Sequence, residues 1–247
     1  MRILVSGLNG HMGKEVAALC EKGVRGAVLS GGVDITAQKD GTFCVPSFEK
    51  ANPDVDCIID FSHHSLTDEL LEFSSKNGIP CVVATTGQTD EELAAIREAS
   101  RKIPVFYSAN MSFGIALLIE LAKKTAAAMP EAEIEIIEKH HDRKLDAPSG
   151  TALAIAKAIK EVRPEAEINT GRSGHAKRTS SEIGISSVRM GNIVGEHEVM
   201  IGTDNQTITL KHEAHSRALF AEGAIAAAAF LCGKPAGLYD MKSMITL

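Results

Sequence analysis

The sequence lacks several features that would place it in a specialised class of protein. No two of its five cysteines form a CxxC pair, so neither a zinc ribbon nor a disulfide framework is indicated. The formal net charge of −6 gives no overall attraction to nucleic acid or to an anionic membrane. The longest apolar helix candidate, residues 224–232, is far shorter than the ~20 residues that span a bilayer. Because Met1 and Arg2 lead directly into an apolar strand, we expect a cytoplasmic protein without a signal peptide.

Over its first hundred residues the chain alternates short apolar runs with segments of helical spacing. Five of the runs fit strands, at residues 3–5, 27–29, 57–61, 81–84 and 105–107. Apolar strands without internal alternation, separated by helices, are typical of a parallel sheet covered on both faces. The pattern predicts an α/β fold whose first part is a Rossmann-like, doubly wound parallel sheet.

After residue 110 the pattern changes. A long helix rich in Ala and Leu is predicted over 114–129, and an alternating strand follows at 133–136. A further helix is predicted over about 149–161, and three strand candidates come after it, at 183–189, 198–202 and 207–212. The last two flank Thr203-Asp204-Asn205, a good hairpin turn. This part is predicted to be an α+β domain with a mostly antiparallel sheet.

A glycine-rich turn, Gly7-Leu8-Asn9-Gly10-His11-Met12-Gly13, joins the first strand to the first helix. Glycines let the backbone N–H groups of such a turn approach a phosphate, and the helix dipole adds attraction for it. The turn therefore predicts a dinucleotide pyrophosphate site. Since the spacing is GxxGxxG rather than the commoner GxGxxG, a purely structural tight turn is the alternative.

Asp34 lies just after the second strand, 21 residues beyond Gly13. A carboxylate there can bond the ribose hydroxyls of an adenosine, although a solvated loop aspartate is the alternative. Ile35 follows it, so no adjacent arginine can hold a 2′-phosphate. We therefore expect NADH rather than NADPH, with Lys39 and His11 as residues that could still bind the phosphate.

Two more turns occur at the carboxyl ends of strands in the same predicted sheet, where ligands bind in such folds. Phe61 belongs to the turn Asp60-Phe61-Ser62, and Ala84, Thr85, Thr86 and Gly87 form the other. Backbone and hydroxyl groups of the second turn could bond a nicotinamide carboxamide.

A dense group of cations lies between the alternating strand and the helix that begins near residue 149. The cations are His140, His141, Arg143 and Lys144. Ser149, in the turn Pro148-Ser149-Gly150-Thr151, is a natural N-cap, and the free N–H groups after an N-cap bind carboxylates. The combination predicts a small, doubly anionic substrate. A capped helix beside a solvated basic loop is the alternative, while a zinc site fits no ligand spacing.

Residues 138–151 closely resemble the signature HHxxKxDAPSGTA of the dihydrodipicolinate reductase family. The glycine turn, Asp60-Phe61-Ser62 and Thr85-Thr86-Gly87 match that family in order and spacing. Further matches are Ala109-Asn110-x-Ser112-x-Gly114, Ile193-Val194-Gly195-Glu196-His197, Ser216-Arg217 and Gly237-Leu238-Tyr239-Asp240-Met241. The resemblance thus extends over essentially the whole chain.

The resemblance implies an enzyme of diaminopimelate and lysine biosynthesis. It would reduce 4-hydroxy-tetrahydrodipicolinate (dihydrodipicolinate) to tetrahydrodipicolinate with NADH or NADPH. By position, His140 would be the acid/base residue, and Lys144 would bind substrate and help to protonate the reduced intermediate. The substrate carboxylates would be held by His141, Ser149, Gly150 and Thr151. The cofactor site would also include Ala109, Asn110 and Met111.

The change of pattern after residue 110 predicts two domains. Residues 1–110 and 217–247 would form the dinucleotide-binding domain, and 111–216 the domain for substrate binding and oligomerisation. The resemblance implies a homotetramer. No metal, nucleic-acid or membrane partner is expected. Ala84, Ala116 and Asp142 depart from the family pattern, which bears on rate and cofactor preference.

Two other functions stay open at this point. A different NAD-dependent dehydrogenase of the same architecture would not need the His-His-x-x-Lys signature. A non-catalytic dinucleotide-binding sensor would usually present a basic surface, which the net charge of −6 does not favour.

Overall fold

The structure is a computed structural model that describes residues 1–38 and 41–246. Lys39, one of the residues considered for a 2′-phosphate, lies outside the described residues. The chain divides into two compact units, one formed by Met1–Ser112 with Ala218–Leu247 and the other by Phe113–Arg217. Among the described residues, no helix has both the length and the apolar character that crossing a membrane requires.

Twelve strands and six α-helices are defined along the described residues. The strands are β1 Arg2–Ser6, β2 Val28–Val33, β3 Cys44–Val45, β4 Cys57–Asp60, β5 Cys81–Val83, β6 Pro104–Tyr107, β7 Glu133–His140, β8 Glu167–Asn169, β9 Glu182–Arg189, β10 Gly195–Thr203, β11 Gln206–Ala214 and β12 Gly237–Tyr239. The helices are α1 His11–Glu21, α2 Thr67–Asn77, α3 Asp90–Ala99, α4 Phe113–Ala128, α5 Gly150–Lys160 and α6 Ala218–Leu231. Short 3₁₀ turns lie at Val24–Gly26, Phe48–Lys50, His64–Leu66 and Lys242–Met244.

The first unit contains a seven-stranded parallel sheet in the order β12–β6–β5–β4–β1–β2–β3. Strands β4 and β5 are buried along their whole length, as expected for apolar runs covered on both faces. Helix α1 packs with α6, and α2 packs with α3. Because β2 and β4 lie on opposite sides of β1, the order of the sheet reverses at β1, the position where such sheets bind ligands.

The second unit contains a five-stranded sheet in the order β11–β10–β7–β9–β8. Strand β10 is antiparallel to β11 and β7, whereas β9 is parallel to β7 and β8. Helices α4 and α5 pack together and contact this sheet, and they close an apolar core that includes Ile134, Ile136, Ile155 and Ile159. The predicted α/β class, with a doubly wound domain and a second sheet, is confirmed.

Strand β7 carries the feature that matters most for the site. Its buried residues alternate with partly exposed ones, so Ile134, Ile136 and Glu138 project from one face. Ile134 and Ile136 enter the apolar core, and Glu138 is also fully buried. The strand thus continues an apolar stripe into a buried carboxylate at the end that leads to His140.

Candidate active site

The glycine turn is built around two positions that only glycine fits. Gly7 has φ +80°, a conformation that L side chains rarely adopt. A Cβ on Gly13 would lie 2.1 Å from the carbonyl oxygen of Gly7 and 2.7 Å from the Cα of Leu8. Both neighbours are backbone atoms, so α1 can start this close to the turn only with glycine at position 13.

Helix α1 begins directly after this turn, with Gly10 as its N-cap residue. Within the described residues no side chain caps that helix. Its first-turn N–H groups belong to His11, Met12 and Gly13, and such groups have no intrahelical acceptor. With the helix dipole they form an anion-binding end.

Asp34 is tied to the same turn. Its Oδ2 accepts a hydrogen bond from the N–H of Asn9 at 2.9 Å, and its Oδ1 accepts from the N–H and hydroxyl of Thr36 at 2.9 and 2.7 Å. Burial favours a higher pKa for Asp34, but the hydrogen bonds from Thr36 and Asn9 outweigh it and the pKa is lowered. The carboxylate is therefore ionised at neutral pH, and it fixes the backbone of the turn at Asn9.

The other predicted cofactor residues follow neighbouring strands of the sheet. Phe61 comes after β4, the segment Ala84–Gly87 after β5, and the segment Ala109–Met111 after β6. Hydrogen bonds join these ends, since the Phe61 N–H donates to Ser6 and the Ala84 N–H donates to Asp60, both at 3.0 Å. Thr86 and Gly87 are exposed, whereas Ala84, Thr85 and Met111 are buried. The structure thus brings the predicted cofactor residues to the carboxyl ends of five adjacent strands.

In the second unit, the predicted catalytic residue His140 ends β7 and contacts Glu138. The His140 Nδ1 lies 2.6 Å from the Glu138 Oε2. The ring also lies beside Gly195 of β10, because a Cβ there would be 3.1 Å from the His140 Nε2. A larger residue at position 195 would therefore crowd the nitrogen that does not contact Glu138.

Ser149 has the N-cap role expected from the sequence. Its backbone is extended, and its Oγ accepts a hydrogen bond from the N–H of Ala152 at 3.1 Å. The same Oγ lies 3.0 Å from Nε2 of His197 on β10, and the Ser149 N–H donates to Glu138 Oε1 at 3.1 Å. Gly150 and Thr151 form the first turn of α5, next to this serine.

Lys144 and His141 lie in the loop that joins β7 to α5. The Lys144 Nζ donates to Asp146 Oδ1 at 2.7 Å, and the Lys144 N–H donates to the carbonyl of His141. The His141 Nδ1 is buried, and no acceptor or donor for it exists in the parts of the chain that are described. The pKa of Asp146 is lowered, chiefly because it pairs with Lys144.

The electrostatics of this cluster keep Glu138 ionised and two imidazoles neutral. Burial acts to raise the pKa of Glu138, yet hydrogen bonds from Arg189, Ser187, His140 and Ser149 hold it at about 2. Burial lowers the pKa of His140, and the neighbouring Glu138 only partly offsets this effect. Burial, followed by the charge of His140, lowers the pKa of His197 to about 4.

The shift at His197 predicts a pH-dependent stability. Its folded pKa of about 4 lies below the ordinary 6.5, so the unfolded chain binds a proton that the folded chain refuses between these values. The free energy of unfolding should be highest above pH 6.5 and should fall by on the order of 3 kcal/mol from this group as pH drops to about 4. Denaturant unfolding of the protein and of His197→Gln across this range measures the effect. If the free energy of unfolding changed with pH by the same amount in both proteins, the prediction would be contradicted.

Three residues of this cluster were not assigned by the sequence analysis. They are Glu138, Arg189 and His197. The position of Glu138 could have been predicted, because a residue two positions before His140 lies on the same face of a strand. Arg189 on β9 and His197 on β10 reach the cluster only through strand pairing. His197 lies in the segment 193–197 that matches the family, but nothing in that segment indicates its contact with Ser149.

Comparison with known proteins identifies the family of this chain. The family model described as "Dihydrodipicolinate reductase, N-terminus" matches residues 1–111, and the one described as "Dihydrodipicolinate reductase, C-terminus" matches residues 114–245. A solved structure of dipicolinate-bound dihydrodipicolinate reductase from Paenisporosarcina sp. TG-14 superimposes with a TM-score of 0.81 at 25% identity. The match covers 100% of this chain and 99% of that one.

Curated relatives point to the same family. The chain is 45% identical to 4-hydroxy-tetrahydrodipicolinate reductase of Caldanaerobacter subterraneus subsp. tengcongensis, over 99% of this chain and 98% of the relative. It is 42% identical to the reductase of the same name from Clostridium tetani, over 99% and 97% of the two chains. The predicted resemblance is confirmed, and neither the different dehydrogenase nor the dinucleotide sensor gains support. The chain belongs to the dihydrodipicolinate reductase family, oxidoreductases of lysine and diaminopimelate biosynthesis that use a pyridine nucleotide.

Proposed function

We propose that the second unit binds the dicarboxylate substrate where β7 ends and α5 begins, and that His140 and Lys144 control the proton there. One observation carries the proposal: His140 and the capped N-terminus of α5 meet at a single buried carboxylate, Glu138, and Lys144 is near enough to His140 for its charge to lower the pKa of that ring. The related solved structure binds dipicolinate, which is a dicarboxylate of this class.

The hydrogen bonds of Ser149 support its role in holding a carboxylate. In residues 1–38 and 41–246 the His197 Nδ1 has no partner, so a proton on that nitrogen would be a buried, unsatisfied donor. The tautomer with the proton on Nε2 instead donates to the Ser149 Oγ, which already accepts from Ala152. With both lone pairs engaged, the hydroxyl proton of Ser149 is left to donate to a ligand.

Lys144 and His141 complete the substrate site in this proposal. The Lys144 ammonium is held by Asp146, whose side chain is more than half exposed, so an incoming substrate carboxylate can take its place. The buried His141 Nδ1 has no hydrogen-bond partner among the described residues. We infer that it bonds the second carboxylate of the substrate. Gly150 and Thr151 add the positive end of the α5 dipole.

The proton chemistry follows from the same groups. When bound, the reduced nicotinamide supplies the hydride for the substrate ring. The reduced ring carries negative charge that must be stabilised and then protonated. Lys144 supplies a positive charge for the first task. For the second, His140 takes up a proton on Nε2, the nitrogen that faces away from Glu138, and the resulting imidazolium passes that proton to the reduced ring.

The first unit is proposed to bind the dinucleotide. Its pyrophosphate would lie at the N-terminus of α1, against the backbone of His11, Met12 and Gly13. Asp34 would face the adenosine ribose, where its ionised carboxylate repels a 2′-phosphate and favours NADH over NADPH. The turns at Phe61, Ala84–Gly87 and Ala109–Met111 would surround the nicotinamide half.

Replacing Asp34 with asparagine is expected to narrow the preference for NADH over NADPH by about tenfold, because the fixed negative charge is removed. Fluorescence titration of the reduced nicotinamides measures both dissociation constants. Asp56→Asn is the matched control, since it removes the same charge from a carboxylate that bonds Arg2 just before β4. Tighter binding of NADPH than of NADH by the unaltered protein would show that the proposed preference is wrong.

Absorbance at the reduced-nicotinamide band tests the function itself. The protein is mixed with dihydrodipicolinate synthase, the two substrates of the synthase, and either NADH or NADPH. We expect absorbance to fall only when the synthase is present, and faster with NADH. Constant absorbance with both cofactors, from protein that binds dinucleotide, would rule out the proposed substrate.

We also propose a homotetramer, as the family resemblance implies, formed through the five-stranded sheet. Strand β11 is one of the two edges of that sheet, and its residues Gln206–Thr209 are exposed, including Ile208. An uncovered edge strand with an exposed apolar residue favours association. Light scattering distinguishes a tetramer from smaller assemblies.

A further inference from the structure

Glu138 is a fully buried carboxylate that makes four hydrogen bonds, to His140, Ser149 and Arg189. Its Oε2 lies 2.6 Å from the His140 Nδ1 and accepts from the Arg189 Nη1 at 2.9 Å. Its Oε1 accepts from the Ser149 N–H at 3.1 Å and from the Arg189 Nη2 at 2.7 Å. Arg189 Nη2 also donates to the carbonyl of Asp146 at 2.6 Å, which ties the loop to the same centre.

The protonation state of Glu138 dictates the tautomer of His140. With a pKa of about 2, Glu138 is ionised at neutral pH, and an ionised carboxylate can only accept hydrogen bonds. The His140 Nδ1 must therefore carry a proton, which leaves Nε2 as the nitrogen that exchanges a proton with a ligand. Gly195 keeps the space beside Nε2 free of a side chain.

The charged and titratable groups around the His140 ring come from four elements. Glu138 lies on its own strand, Arg189 on β9 and His197 on β10, and Lys144 lies in the following loop. His197 is neutral, and only Glu138 carries a negative charge among these four. It is therefore the group that stabilises the protonated ring, while Lys144 and Arg189 oppose protonation.

We propose that Glu138 is a positioning residue for the reduction. It holds His140 with Nδ1 bonded to the protein and Nε2 directed to the reaction, and it places the Ser149 N–H at the start of α5. Arg189 orients the carboxylate through two parallel hydrogen bonds. The inference rests on the proposed role of His140 as the proton donor.

A purely structural role for Glu138 would lead to a different prediction. Burying an ion pair often contributes little to stability, but removing one partner leaves an unpaired charge and destabilises the fold. If Glu138 served only to pair Arg189, its loss would lower stability without changing the proton chemistry of His140. The test therefore needs readouts beyond folding and rate.

Glu138→Gln keeps the shape of the side chain but has only one acceptor oxygen. The Ser149 N–H and the Arg189 guanidinium can only donate, so they compete for that oxygen, while the His140 ring can adapt by accepting from the amide NH₂. That exchange moves the ring proton to Nε2 and disfavours the protonated ring. We expect kcat to fall by about 100-fold or more, with a smaller change in KM. The limb of the kcat–pH profile that requires protonated His140 should move to lower pH.

Glu182→Gln is the matched control. Like Glu138, Glu182 is a buried glutamate paired with an arginine, in this case Arg172. It lies on β9, seven residues along the strand from Arg189. We expect this variant to lose stability but to keep the kcat and pH profile of the unaltered enzyme. A Glu138→Gln variant that behaves in the same way would overturn the inference.

Two further measurements separate the possible failures. Nitrogen-15 NMR of the histidine rings in the unaltered protein should show His140 protonated on Nδ1 at neutral pH. A ring protonated on Nε2 alone would overturn the inference, even where Glu138→Gln does not fold. His140→Gln tests the role on which the inference rests. If it retains full kcat, the proposed role of His140 fails. If it loses activity and Glu138→Gln does not, the inference about Glu138 fails by itself.

Discussion

Lys144→Ala is expected to lower kcat by about 10²- to 10⁴-fold while dinucleotide affinity stays unchanged. The ammonium of Lys144 is a positive charge at the proposed substrate site, and its loss removes stabilisation of the charge that develops during reduction. Its ion pair with the exposed carboxylate of Asp146 contributes little to stability, so the fold should be retained. Steady-state rates in the synthase-coupled assay and a fluorescence titration of NADH measure the two effects.

Lys139→Ala is the control for this variant. Lys139 lies on β7 next to His140 and pairs with Glu196 at 3.0 Å. The variant therefore removes a nearby lysine that lies outside the proposed site. Its kcat should match that of the unaltered protein. Turnover of Lys144→Ala within a few-fold of normal would mean that the charge of Lys144 does not serve the reaction.

Gly13→Ala is expected to abolish dinucleotide binding and to destabilise the first unit by about 3 kcal/mol or more. The added Cβ would lie 2.1 Å from the carbonyl oxygen of Gly7, and backbone at a glycine turn cannot move aside without opening the turn. The N–H groups at the start of α1 would then lose their alignment on the pyrophosphate. Fluorescence titration measures binding, and thermal unfolding measures stability.

Gly171→Ala provides the comparison, because a Cβ on Gly171 would meet no atom within 4 Å. That variant should bind the dinucleotide normally. Normal binding by Gly13→Ala as well would show that the turn adapts, and that its close approach is not what holds the cofactor.

Features that depend on neighbouring residues could be predicted from the sequence. The glycine turn between β1 and α1 and the Ser149 N-cap of α5 each follow from a few adjacent residues. The hairpin between β10 and β11 could also be predicted, since a turn sequence separates two strand patterns. By contrast, β3, β8 and β12 have two or three residues each, which is too short for a periodic pattern.

Long-range pairing supplies the rest of the site. Glu138, Arg189 and His197 lie on three adjacent strands, and the register of β7 with β9 and β10 brings them together. The bond between Asp34 and the Asn9 N–H likewise depends on how closely β2 packs beside β1. Residue type and spacing are enough to select His140, Lys144 and Ser149 as candidate site residues. Their protonation and direction depend on burial and on hydrogen bonds from other strands, because a pKa and a tautomer are properties of the surroundings and not of the residue alone.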